Sequence, residues 1–350
     1  MNATLLRLWC TCVCLFFCLA AQAADPDDLH KKEYEKSFPA SKSDELFISN
    51  KYGGITITHW SKSEVAFRVV VEVKTRNAQD DQKNLDRIQI RLGKEGNVIS
   101  GITELSNVSV RNGKLDIQYY ISMPSWVPCK LEQHYGNIQM PSKNPAPCQL
   151  TVKYGNIEGG SFEQPLQLEA KYSNVTLGAL QSADFDLGYC GKVILESASQ
   201  LNADSKYSNL KAGEIGSLAL DLKYGQLEAE KIQSVAADVK YSTCKIGYLV
   251  DNLAAESLDY STLELDAVNG KFQKIQVEAR YSSVKLALPS SASFQVKGEN
   301  LKYGHCKLLG FEPTKSEKEK DAVYYEVNGG KNGSIYFDAG GYSNMNIRKE

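Results

Sequence analysis

Along much of this chain apolar residues fall at every second position, as in Leu150 and Val152, Phe185 and Leu187, and Leu220 and Leu222, and each pair is followed two residues later by a tyrosine. A period of two belongs to a β-strand, whose successive side chains point to opposite faces. After the tyrosine come a small residue and a polar one. Alternation then resumes, as in Val175 and Leu177, Leu263 and Leu265, and Val284 and Leu286. The unit reads as strand, corner, strand. The tyrosine shares the parity of the apolar residues before it, so its ring is expected on the core side of the corner with the hydroxyl toward water. This makes it a structural ladder first and an aromatic platform for sugars or partner surfaces second.

The unit repeats. Tyrosines stand at 135, 154, 172, 189, 207, 224, 241, 260, 281 and 303, with steps of 17 to 22 residues. The frame is clearest in Lys153-Tyr154-Gly155-Asn156, Lys206-Tyr207-Ser208-Asn209 and Lys223-Tyr224-Gly225-Gln226, with outlying copies at Tyr52 and Tyr342. Two short strands cannot bury a core alone, so the units must stack, with equivalent residues about 4.8 Å apart. The expected fold is an all-β, single-chain β-solenoid of about eleven short coils, rod-like, with a longer-rung N-terminal cap. Residues 1–23 are assigned to a signal peptide, 24–46 to a linker, 47–128 to the cap of wider coils, and 129–350 to the regular repeats. A charged insertion at 312–322 is expected to be a solvated loop. Alternation places Leu220, Leu222 and Leu227 inside and Asp221 and Lys223 outside.

Stacking turns each position into a column. The position before the tyrosine holds Lys51, Lys153, Lys171, Lys206, Lys223, Lys240, Arg280 and Lys302, a stripe able to grip an anionic polymer. Two residues earlier stand Glu132, Glu169, Asp186, Asp204, Asp221, Asp238 and Glu278, which favours a self-neutralised, solvated face that also blocks sheet association. The asparagines two residues after the tyrosine, among them Asn137, Asn156 and Asn174, tolerate left-handed geometry and can hydrogen-bond up and down the stack. A binding site is expected where the columns break: Asp259 among the basic residues, and Gln226 and His305 at the corner.

The balance of 40 Lys plus Arg against 42 Asp plus Glu, a net charge of −2, excludes a nucleic-acid binder working by overall charge. Arg7, an apolar stretch and Ala21-Gln22-Ala23 read as a cleavable secretory signal. The chain is thus exported to the periplasm, the cell surface or the medium, with no transmembrane span once mature. Of the five cysteines beyond the signal, Cys244 and Cys306 fill inward slots, and Cys129 and Cys148, in adjacent coils, form a candidate disulfide. No catalytic signature, metal set or cofactor motif is present, so the chain reads as a non-enzyme without cofactor, although β-helical polysaccharide enzymes also draw their acids from separate coils and stay an alternative, as does a purely structural or regulatory envelope protein.

The aromatic followed by Gly or Ser and Asn in each unit, the signal segment and the final short unit near residues 340–347 together resemble the secreted bacterial β-solenoid adhesin family, which includes the auto-transporter adhesin head, or GIN, domain. The resemblance covers residues 47–350. It implies a cell-envelope or surface protein that presents a repetitive face to a glycan or protein partner, with no cofactor and no catalytic residues.

Overall fold

The computed structural model describes residues 30–75, 77–110 and 113–350; the signal segment and the first residues of the expected linker lie outside them. The protein is all-β with many parallel-stacked strands, and the described residues hold one α-helix, Ala78–Leu85. That helix is short and polar, and the side chain of its N-cap Asn77 accepts from the Gln79 amide.

From Cys129 to Leu288, each repeat pairs in parallel register with the next. Lys206 pairs with Lys223 and Lys223 with Lys240, while Leu195 pairs with Ala212 and Ala212 with Ala229. The long strands Asn174–Gly188, Lys192–Lys206, Asn209–Lys223 and Gln226–Lys240 form the most regular part. Leu220, Leu222 and Leu227 are buried, as alternation requires, while Lys223 and Asp221 lie on the outer face. Every repeat thus adds its apolar residues to one continuous core.

Both ends depart from the expectation. Lys31–Pro39, read as linker, is a strand lying antiparallel to Glu64–Lys74, which in turn lies antiparallel to Lys114–Pro124. The cap is thus a mixed sheet: Glu45–Trp60 pairs in parallel with Val98–Leu105, Lys114–Pro124 and Cys129–Gln139, while Lys31–Pro39 and Glu64–Lys74 add antiparallel strands. Long apolar strands such as Val65 to Val73 find partners in adjacent antiparallel strands without the long crossover that a parallel pair needs. A buried polar network ties this cap to the first repeat. The Asn50 amide donates to the Ile117 carbonyl and to Gln133 Oε1, each at 2.9 Å, and Thr103 Oγ1 donates to Asn50 Oδ1 at 2.9 Å.

At the other end the charged insertion is a hairpin and not a loop. Lys315–Lys318 pairs antiparallel with Val323–Val327, which pairs antiparallel with Phe294–Glu299. Its outer strand is fully exposed and carries Lys315, Glu317 and Lys318, charges that oppose pairing with a strand of another molecule. The last repeat also does not follow the previous one. Gly333–Gly340 lies between Lys274–Arg280 and Phe294–Glu299, and Asn344–Lys349 between Ser283–Leu288 and His305–Leu309.

Candidate functional site: an exposed tyrosine ladder

The repeated corner holds its tyrosine in the left-handed region. Tyr52, Tyr135, Tyr154, Tyr172, Tyr189, Tyr207, Tyr224, Tyr241, Tyr260 and Tyr281 all have φ between 49° and 62°. One left-handed residue shifts the alternation by one position. The side chain that sequence parity sends inward therefore swings out, and the next residue takes the inner place. Ser173, Ser208, Ser242, Ser261, Ser282 and Ser343 are buried, while Tyr154, Tyr172 and Tyr241 are about half exposed. The expected core-side ring is thus corrected: the tyrosines form a surface column. Parity counted backward from the downstream apolar residues, as from Leu263 and Leu265 to Ser261, carries this signal.

The buried serine closes the corner. Ser242 Oγ donates to the Lys240 carbonyl at 2.7 Å and accepts from the Gly225 amide of the neighbouring repeat at 3.0 Å. The same pattern recurs at Ser208 with Lys206 and Cys190, and at Ser261 with Asp259 and Ser242. Ser205, by contrast, is fully buried within a strand and its hydroxyl has no partner. The same substitution should therefore act with opposite sign at the two sites. Ser242→Ala strands a buried amide and lowers stability by about 1–3 kcal/mol, whereas Ser205→Ala removes an unpaired hydroxyl and raises it by up to about 1 kcal/mol. Urea unfolding midpoints of the two variants would check this; destabilisation of both would refute the hydrogen-bond assignment at Ser205.

From Tyr52 to Tyr281 consecutive rings stack with centroids 4.7–5.2 Å apart and planes within 10° of parallel. Tyr342 follows Tyr281 at 5.8 Å and Tyr303 follows Tyr342 at 5.0 Å, so the spatial order at the end is not the chain order. Bulky residues are rare at positive φ, and each such residue costs on the order of 1 kcal/mol or more. Glycine or asparagine would relieve that cost. The ring ladder is what tyrosine supplies and they do not.

The columns beside the ladder differ in character. On the upstream side the cations are tied up: Lys171 Nζ lies 3.0 Å from Glu169, Lys206 3.1 Å from Asp204, and Lys223 2.8 Å from Asp221. Asp259, the expected break, sits between Lys240 at 3.8 Å and Arg280 Nε at 3.1 Å and accepts from Ser257 Oγ at 3.1 Å. It is a bridge within the charged face. Downstream, Asn156 and Asn174 each donate to the asparagine one repeat back at 3.0 Å. Gln226 is exposed in the same column, in register with Asn209 and Thr243. His305 stands far along it, paired with Asn344, its Nε2 3.2 Å from Asn346 Oδ1. Gln226 and His305 thus share a column several rungs apart, and Asp259 lies across the tyrosines from both.

The hydrogen bond from Lys171, then the one from Lys153, hold the Glu169 carboxyl below its ordinary value of 4.5. A depressed carboxyl contributes stability above its unfolded value and loses it as pH falls through the folded one. The thermal midpoint should therefore drop as pH falls below about 4.5, and Glu169→Gln should make that drop shallower. An acid limb identical in the variant would show that Glu169 carries none of it. The direction is also opposite to the raised carboxyl that a glycosidase acid needs, although Glu169, Asp186, Asp204, Asp221 and Asp238 line a shallow depression of about 690 Å³ on the outer face.

Cys129 and Cys148 are register partners with thiol sulfurs 3.4 Å apart, but they are free and buried, so the candidate disulfide is not formed in this structure. In-register parallel neighbours aim their side chains the same way, which is poor geometry for an S–S bond. The hydrogen bond between them and burial push the Cys129 thiol well up, and burial alone pushes Cys244 and Cys306 up to about 12. Such thiols stay protonated and unreactive. Among the described residues no group of three or more His, Cys, Asp or Glu is placed to hold a metal ion, and no helix is long and apolar enough to cross a membrane.

No protein-family model matches the chain, and no curated protein matches it in sequence. Among solved structures it is similar to a putative cell adhesion protein from Clostridium sporogenes ATCC 15579, at 11% identity over 91% of this chain and 100% of that one, with a TM-score of 0.21. It is also similar to a putative adhesin from Bacteroides fragilis NCTC 9343, at 10% identity over 90% and 97% with a TM-score of 0.27. A third is a putative lipid binding protein from Parabacteroides distasonis ATCC 8503, at 9% identity over 90% and 96% with a TM-score of 0.29. Likenesses this distant say nothing of what this chain binds.

Proposed function

We propose that the protein is an exported, non-enzymatic β-solenoid of adhesin type whose tyrosine ladder meets a glycan or protein partner outside the cytoplasm. In this reading residues 129–350 are the solenoid, residues 47–128 and the strand Lys31–Pro39 close its first edge, and the charged hairpin closes its last. The observation that carries it is the ladder itself: ten tyrosines held at positive φ, with rings stacked in the open. A core has no use for half-exposed rings, and a strained conformation repeated in ten successive units supports selection for the surface it builds. The N-terminal secretory signature supports export. The paired lysine and carboxylate columns support a face that neither attracts polyanions nor presents a free acid.

The test uses the mature chain, from Ala24 on, immobilised against a glycan array and against intact bacterial and epithelial surfaces. The parent is expected to retain a partner, and a variant with Tyr172, Tyr189 and Tyr207 changed to Asn to lose it without a fall in thermal midpoint, since asparagine tolerates the left-handed corner. Asp259→Lys should leave the same binding in place. Partners retained equally by the tyrosine variant would overturn the reading.

A further inference from the structure

Beside the ladder runs a shallow trough of about 780 Å³, parallel to the stacking direction. One wall is formed by Tyr224, Tyr241, Tyr260 and Tyr281, and the other by Gln226, Thr243, Thr262 and Ser283. Resting on the reading of the ladder as a binding face, we infer that this trough takes a neutral, extended polysaccharide, one sugar to a rung.

Four observations converge on that ligand. The lining carries no charged residue. The cations on the near side are bound to carboxylates, as Lys223 is to Asp221, and the column beyond the far wall alternates Lys211, Glu228, Lys245, Glu264 and Lys285, so no single sign of charge is offered. Next, the polar groups here are uncommitted. Upstream, Asn156 and Asn174 spend their amides on one another's column, whereas the side chains of Gln226, Thr243, Thr262 and Ser283 make no hydrogen bond to another described residue, nor do the hydroxyls of the four tyrosines. Hydroxyls and amides facing aromatic edges are the groups that recognise sugar hydroxyls and C–H faces.

The third observation is translational. The rungs Tyr224 to Tyr281 repeat every 4.9–5.1 Å. A hexose in an extended β-1,4-linked chain advances by nearly the same step, turned by half a revolution from its neighbour, so each sugar falls on one rung and every second sugar meets the same groups in the same orientation. The fourth is that the stacked rings cover one another's faces and leave a row of edges and hydroxyls. A lone sugar cannot lie flat on a ring, so single-site affinity is weak and binding grows by repetition along the chain.

The probes are cello-oligosaccharides and chito-oligosaccharides from disaccharide to hexasaccharide, with polygalacturonate as the anionic control, titrated by calorimetry into the mature chain. Affinity is expected to climb with oligomer length for at least one neutral series, and to stay below detection for polygalacturonate. The variant carrying Tyr224→Asn, Tyr241→Asn and Tyr260→Asn, and separately the variant carrying Gln226→Ala, Thr243→Val and Thr262→Val, should each weaken the longest oligomer at least about tenfold with circular dichroism unchanged and no fall in thermal midpoint. Sedimentation of the parent checks for self-association. Absence of length-dependent binding, equal binding of polygalacturonate, or a dimer that the tyrosine variant abolishes would each overturn the glycan assignment. Loss of cell-surface adhesion in the tyrosine variant despite such a result would leave the adhesive role standing without it.

Discussion

Leu222→Asp is expected to unfold the stack locally, at a cost of at least about 4 kcal/mol, because it places an unpaired carboxylate where no water or cation reaches. Leu222 is wholly buried, with Ser205 and Val239 as its register neighbours, so the charge would face the core of three successive repeats. In a stacked array each repeat contacts only its neighbours, and the damage should split the transition into two phases rather than lower a single midpoint. The adjacent Lys223→Ala removes one exposed ion pair and should change stability by less than about 1 kcal/mol. Denaturant melts of the two variants give the comparison. A Leu222→Asp protein as stable as the Lys223→Ala protein would mean that the alternation of this strand is misassigned.

The second large effect is expected at a residue with no side chain. A methyl group on Gly155 would sit 1.8 Å from the Gly136 carbonyl oxygen, and one on Gly136 equally close to the carbonyl of Gly53. The obstructing atoms are backbone, fixed by parallel pairing on both sides, so they cannot rotate away. Gly155→Ala should therefore cost at least about 2 kcal/mol, as an overpacked site does. Gly155→Ser should cost as much, although serine occupies the same place in the repeat at Ser173 and Ser208. A melt of Gly155→Ser within about 0.5 kcal/mol of the parent would show that the two kinds of corner interconvert.

That contrast marks how far the repeat pattern can be read. Gly155 and Ser173 are equivalent in the frame, yet the nesting of successive corners at Gly53, Gly136 and Gly155 differs from the hydroxyl-bridged corners at Ser242, Ser261 and Ser282. A consensus position records which residue types recur there. It does not record the distance to the next backbone.

Alternation alone determined the strands of the repeats, that Leu220, Leu222 and Leu227 face inward, and that lysines stand beside carboxylates on the outer face, because a period of two is a local property of the extended chain. The frame around the tyrosines likewise determined stacking, since units this small have no other way to bury their apolar sides. Tertiary structure decided what alternation cannot express. A single left-handed residue reverses the phase, so the tyrosine rings stand outside and the trough beside them exists at all. Equivalent repeats present equivalent edges, so nothing in the pattern dictates their order, and the segment from Gly333 enters between two earlier repeats because the hairpin before it gives the chain room to return. The antiparallel strand Lys31–Pro39 was equally unreadable, its partner lying in a segment whose own pattern leaves both edges open.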